Sequence, residues 1–147
     1  RGPYDIISVM DESVNDEPYE TEGLFINLFD PELPVIHKKI VEPDKQAFLY
    51  NLHRVKNENQ PQVLASASRI SNEEISNKSY SFVSKSPAET VNSMRVLLPG
   101  KPEETEVFKE KGEQASNVKT SWNSESNTYF LRFENSPDGI HVKLTWL

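Results

Sequence analysis

The side chains best equipped for chemistry in this chain are three histidines, His37, His53 and His141, many serines and 23 Asp/Glu carboxylates. Three imidazoles and a carboxylate make a zinc site when a fold gathers them. No histidine pair here has HxH or HxxxH spacing, so the three read as surface residues of separate strands and no metal is expected. A serine nucleophile would be announced by a GxSxG elbow, which the chain lacks. Glycoside hydrolysis needs two acids about 5–9.5 Å apart across a cleft, and the acids fall mostly in turns or near the N-terminus. With only five glycines there is neither a GxGxxG nor a GxxxxGK[ST] phosphate cradle. Zero cysteines remove disulfides, thiolate zinc sites and thiol nucleophiles together. No cofactor is expected, and the chain reads as a non-enzyme. A hydrolase or metal enzyme assembled from distant residues stays as an alternative.

Binding chemistry is more visible. Ile6-Ile7-Ser8-Val9 followed by Asp11-Glu12, with Asp16 and Glu17 beyond, is a short apolar strand with an acidic trailer. Such a segment can add to the edge of a partner's sheet while its acids meet a basic rim. It resembles a SUMO-interacting motif over fewer than ten residues, which implies a protein partner with a basic surface. The plain alternative is that Tyr4 to Met10 is the domain's first strand. Phe25-Ile26-Asn27-Leu28-Phe29 has FxxLF spacing, three anchors on one face if helical, or simply core. Trp122 and Phe130 can sit side by side on an exposed sheet face and stack on a sugar ring, unless that face is covered. Asn77-Lys78-Ser79 is the one glycosylation sequon.

Charge is unevenly distributed. Residues 1–37 hold nine acids against the single base Arg1, a net of −8, and the remaining 110 residues are near neutral at +1. Nucleic acid is disfavoured as a partner because no Lys/Arg footprint is concentrated anywhere. No apolar run approaches the roughly 20 residues of a membrane span. Cytosolic, nuclear and extracytoplasmic settings all suit a cysteine-free chain, and oligomeric state is left open. The chain opens on Arg1, not Met, as a processed product or excised piece would.

The elements that must position these residues are mostly strands. Period-2 alternation marks 35–41, 47–56, 62–70, 80–84, 118–123, 128–134 and 140–146. Asn57-Glu58-Asn59-Gln60-Pro61 lies between the second and third of these and predicts a hairpin. Ser136-Pro137-Asp138-Gly139 is turn chemistry and predicts a second, pairing Phe133 with Val142 and Leu131 with Leu144. Ser86-Pro87-Ala88-Glu89 is a helix start, and Val91, Met94 and Leu98 form a stripe, so 87–98 is expected as a helix with a strand over 94–98 as its rival. Residues 103–115 are weakly helical.

These elements make a mainly β protein: an antiparallel β-sandwich or barrel-like sheet with one or two short helices, or failing that an α+β layout. An acidic segment, 1–22, partly extended, would precede a single β-rich domain, 23–147. The function expected is a non-enzymatic interaction domain binding a protein partner through Ile6, Ile7, Val9, Asp11, Glu12, Asp16 and Glu17. The alternative is an extracytoplasmic carbohydrate or ligand module using Trp122 and Phe130.

Overall fold

A computed structural model describes residues 1–11 and 17–147. The regular structure of the described residues is antiparallel strand apart from one 3-10 turn, and contacts group the chain into two compact units, Arg1–Asn57 and Glu58–Leu147.

The first unit holds β1 (Tyr4–Ser8), β2 (Tyr19–Asn27), β3 (Val35–Val41) and β4 (Gln46–Asn51), hydrogen-bonded in the order β1-β4-β2-β3. The acidic stretch through Glu22 therefore runs into a strand of this sheet. The β2–β3 pairing shifts register between Glu22 and Phe25. Phe25–Asn27 also pairs with β4, which ends at Asn51 opposite Phe25, whereas Tyr19–Glu22 pairs with β3 alone. Phe25, Val41, Ala47 and Leu49 form the core of this unit, with Ile7, Val9 and Ile36 packed on it. A single 3-10 turn, Leu52–Arg54, follows β4, capped by Asn51, whose side chain accepts the His53 N–H at 3.0 Å.

The second unit is a β-sandwich. One sheet runs β10-β11-β8-β5, from Lys119–Asn123, Thr128–Glu134, Val91–Leu97 and Gln62–Ser66. The other runs β6-β7-β12-β9, from Arg69–Ile75, Ser79–Lys85, Ile140–Thr145 and Glu104–Lys109. Inward residues of both sheets share one core, including Met94, Val96, Leu131 and Phe133 from the first and Tyr80, Phe82, Val142 and Leu144 from the second.

Four sequence expectations are corrected. Residues 91–97 are strand β8, not a helix, because Glu89 takes a left-handed φ of 60° and turns the chain back after Pro87. Asn92, Met94 and Val96 are then buried by period-2 alternation, and the helical spacing of Val91, Met94 and Leu98 is coincidental. The segment 103–115 is likewise a strand, β9, and then a turn closed by Gly112 N–H to Lys109 O at 2.9 Å. Residues 47–56 and 62–70 make no hairpin: β4 pairs with β1 and β2, β5 pairs with β8, and 62–70 is itself split between two sheets. The turn at Ser136–Gly139 forms, with Gly139 N–H donating to Ser136 O at 3.1 Å, but it carries the chain across the sandwich. β11 pairs with β8 and β10, while β12 pairs with β7 and β9. Leu131, Phe133, Val142 and Leu144 therefore meet through the core, not as in-sheet neighbours.

Candidate functional site

The predicted partner-binding strand is β1, and its residues divide between the two faces of its sheet. Ile7 and Val9 pack on the first unit's core. Ile6 points the other way and is 76% exposed. Asp11 and Glu17 are exposed on either side of 12–16, and Glu12 and Asp16 lie outside the described residues.

Ile6 does not stand alone on that face. In the β1–β4 register Tyr4 lies opposite Tyr50 and Ile6 opposite Phe48, so their side chains project on one side. Tyr4 packs against Phe48 at 5.6 Å between ring centroids and edge-on to Tyr50 at 5.4 Å. Phe29, in the turn after β2, stands edge-on to Phe48 at 5.9 Å and is itself 61% exposed. Burial, with Tyr4 as a second cause, holds the Tyr50 phenol above its usual pKa, so Tyr50 is the floor of this surface and Tyr4, Ile6 and Phe29 its exposed part. Sequence reasoning missed Tyr4 and Phe48 as surface residues, and offered Phe29 only as an anchor of the FxxLF pattern. The available signal was that β1 and β4 each carry large apolar residues at consecutive positions, Ile6-Ile7 and Phe48-Leu49, when one buried face uses only alternate ones.

β1 also ends its sheet, and its backbone polarity follows from the ladder. Asn51 N–H donates to Pro3 O at 2.6 Å and Val9 N–H to Lys45 O at 3.1 Å, which directs odd-numbered residues toward β4. The N–H and C=O groups of Ile6 and Ser8 then point outward. Among the described residues no strand pairs with that edge. An open cleft of about 450 Å³ runs beside it, lined by Tyr4 to Ile7 on one side and Tyr19 and Thr21 of β2 on the other. At the Ser8 end a second hollow of about 270 Å³ is lined in part by Asp11 and Asp44. The strand is fastened from its other face: Asp5 is ion-paired with Arg54, accepts from Asn51 Nδ2 at 3.3 Å, and Arg54 also donates to Gly2 O at 3.1 Å. On the β2–β3 pair, Glu20 lies 2.8 Å from Lys38 and raises the ammonium pKa by accepting its hydrogen bond.

The other expected sites are not assembled. Trp122 lies opposite Tyr129 in the β10–β11 register and packs on the sandwich core, while Phe130 projects from the opposite face. Phe130 is only 2% exposed, with the Arg95 guanidinium 5.7 Å from its ring centroid. Burial lowers the Arg95 pKa to about 10, leaving it charged at neutral pH, and Nη1 donates to Thr128 Oγ1 at 3.0 Å. The expected side-by-side aromatic pair therefore does not form, because neighbouring positions in a strand alternate faces. Phe25 is core and Phe29 is exposed, with strand rather than helix between Phe25 and Asn27, so the FxxLF anchors do not share a face. His37, His53 and His141 are exposed in β3, the 3-10 turn and β12, and among the described residues no three His, Cys, Asp or Glu gather to hold a metal. His141 contacts Glu110 and, by hydrogen bond first and charge second, holds that carboxyl below its ordinary pKa. In the sandwich, burial and then the hydrogen bond to Glu73 push the Tyr80 phenol far above its usual pKa, which makes it a structural donor and not an acid.

Among the described residues no helix is long and apolar enough to cross a membrane. No known protein family, curated protein or solved structure matches the chain.

Proposed function

We propose that the protein is a non-enzymatic, β-rich interaction domain that binds a protein partner through its first unit. The observation that carries this reading is the exposed apolar set of Tyr4, Ile6 and Phe29 around Phe48 on one sheet face. Leaving aromatic and aliphatic side chains in water costs free energy, and aromatics are enriched where proteins meet. The setting of that face supports a basic partner: Arg1–Asn57 holds eleven acids and six bases, against twelve and ten in Glu58–Leu147. Long-range attraction of this kind speeds encounter and weakens with salt.

The test is capture of the partner by the full chain from its source cells, compared between wild type and point variants. Truncating residues 1–22 is unsuitable, because it removes β1 and half of β2. Phe29→Ser, at an exposed turn position, is expected to weaken association about tenfold, the effect of a central aromatic contact. Asp11→Asn is expected to flatten its salt dependence. Equal binding by wild type and Phe29→Ser would overturn the reading.

A further inference from the structure

The open edge of β1 sets how a partner engages this unit. We infer that the partner contributes an extended peptide that lies in the cleft as an added strand, between β1 and the first half of β2, with a basic residue at the end nearest Asp11 and Asp44. The inference rests on the protein-partner reading and names the chemistry of the partner.

Three independent features converge on that occupant. The outward N–H and C=O groups of Ile6 and Ser8 are a ready template for backbone pairing, the mode by which peptides add to sheet edges. The cleft has room for such a strand: β1 and the Tyr19–Thr21 stretch of β2 form its two walls with a gap of about 450 Å³, and Tyr19–Glu22 pairs with β3 alone. The walls also dictate alternation. A strand's side chains go alternately to the apolar Tyr4 and Ile6 side and to the side where Ile7 stands beside Asp5, so the peptide needs apolar residues facing the first and takes small polar ones facing the second. Charge then fixes the polarity of the site. The hollow at the Ser8 end presents Asp11 and Asp44, whereas Arg1 lines the other end of the cleft. A lysine or arginine is matched to the first and mismatched to the second.

A synthetic acetylated, amidated peptide of alternating valine and threonine ending in two lysines serves as the probe, with the full chain at low salt. Binding is expected to saturate and to slow amide hydrogen exchange at Ile6 and Ser8 by about tenfold or more. The same peptide ending in two glutamates is expected to bind several-fold more weakly. N-methylation of a single peptide amide that faces β1 is expected to cost about tenfold, one lost hydrogen bond's worth. On the protein side, Ile6→Pro removes an outward N–H without touching the bonds to β4, and is expected to bind about tenfold more weakly than Ile6→Thr, which loses the same apolar side chain but keeps the N–H.

Failure to bind the lysine peptide, unchanged exchange at Ile6 and Ser8, or indifference to N-methylation each overturns the inference. If the partner still depends on Phe29 while Ile6→Pro and N-methylation do nothing, the partner sits on the sheet face and only the added strand is wrong. If Phe29→Ser is also silent, the interaction-domain reading itself has failed. A chain that sediments as a dimer, with the Ile6 amide already protected in the absence of peptide, identifies a second copy as the occupant and likewise overturns it.

Discussion

Four polar side chains sit where the sandwich needs them least for hydrophobic burial and most for order. Asn92 is 1% exposed and Ser84 fully buried, between two sheets whose shared core is otherwise built from apolar residues such as Met94, Phe82 and Leu131. Each is satisfied locally. Asn92 Nδ2 donates to Ser66 Oγ at 3.3 Å and Ser68 Oγ at 3.2 Å, and Ser84 Oγ donates to Ser68 Oγ at 2.6 Å. The two serines flank the crossover from β5 to β6, so the network clips the point at which the chain changes sheet. Removing the amide takes a partner from both hydroxyls in a place water does not reach easily. Asn92→Ala is therefore expected to destabilise the second unit by about 1–3 kcal/mol, read as a lower urea midpoint at unchanged slope. A shift equivalent to less than about 0.5 kcal/mol would mean that the serines repair the network among themselves. The run Ala65-Ser66-Ala67-Ser68 reads as a strand interior by period alone, and only Asn92, 24 residues further on, explains why the hydroxyls are there.

On β11 and β12 the inward faces were legible and the strand partners were not, and the turn before β12 shows why. Alternation at Leu131, Phe133, Val142 and Leu144 identifies four inward residues whether they meet side by side in one sheet or across the gap between two. The turn residues Ser136 to Gly139 suit either geometry, and the choice is made by β7, β8 and β9, which outcompete the local pairing through contacts far apart in sequence. The same limit applies at the candidate site. Ile6 and Asp11 could be picked out as an apolar strand and its acidic trailer, but the Tyr4–Phe48–Phe29 cluster depends on β4 lying beside β1, which no local pattern encodes. Gly139 is where the crossover is most demanding. Its φ of 107° is a region that side chains rarely adopt, and an added Cβ would come within 2.9 Å of Val83 Cγ1 on β7. Gly139→Ala is expected to cost about 1–3 kcal/mol from strain and overlap together. Gly100→Ala is the control, since its Cβ meets nothing within 4 Å and its φ is not left-handed. It should change stability by no more than about 0.5 kcal/mol. Equal unfolding midpoints for the two variants would contradict the strain argument.

Two cores of unequal size in one chain have a consequence for the whole molecule. The first unit buries Phe25, Val41, Ala47 and Leu49 at its centre, whereas the second unites fourteen buried residues from both sheets. Stability left after chain entropy rises with the apolar surface a unit can remove from water, so the smaller core is the weaker one. The chain supplies its own reporters of the difference. Both tryptophans, Trp122 and Trp146, pack on the second core, and the first unit has none. Fluorescence excited near 295 nm therefore follows the sandwich, while far-ultraviolet circular dichroism follows the strands of both units. In urea the dichroism is expected to start falling at lower denaturant than the tryptophan signal. Phe25→Ala should advance that early loss alone, and Leu131→Ala should move the fluorescence transition by about 2–5 kcal/mol, as large-to-small changes in a packed core do. Coincident curves in the wild type, moving together in both variants, would show that the two units unfold as one cooperative body. Separate curves would leave the unit that carries the β1 edge free to open at a cost the sandwich does not share, a low-stability region of the kind from which binding elements are drawn.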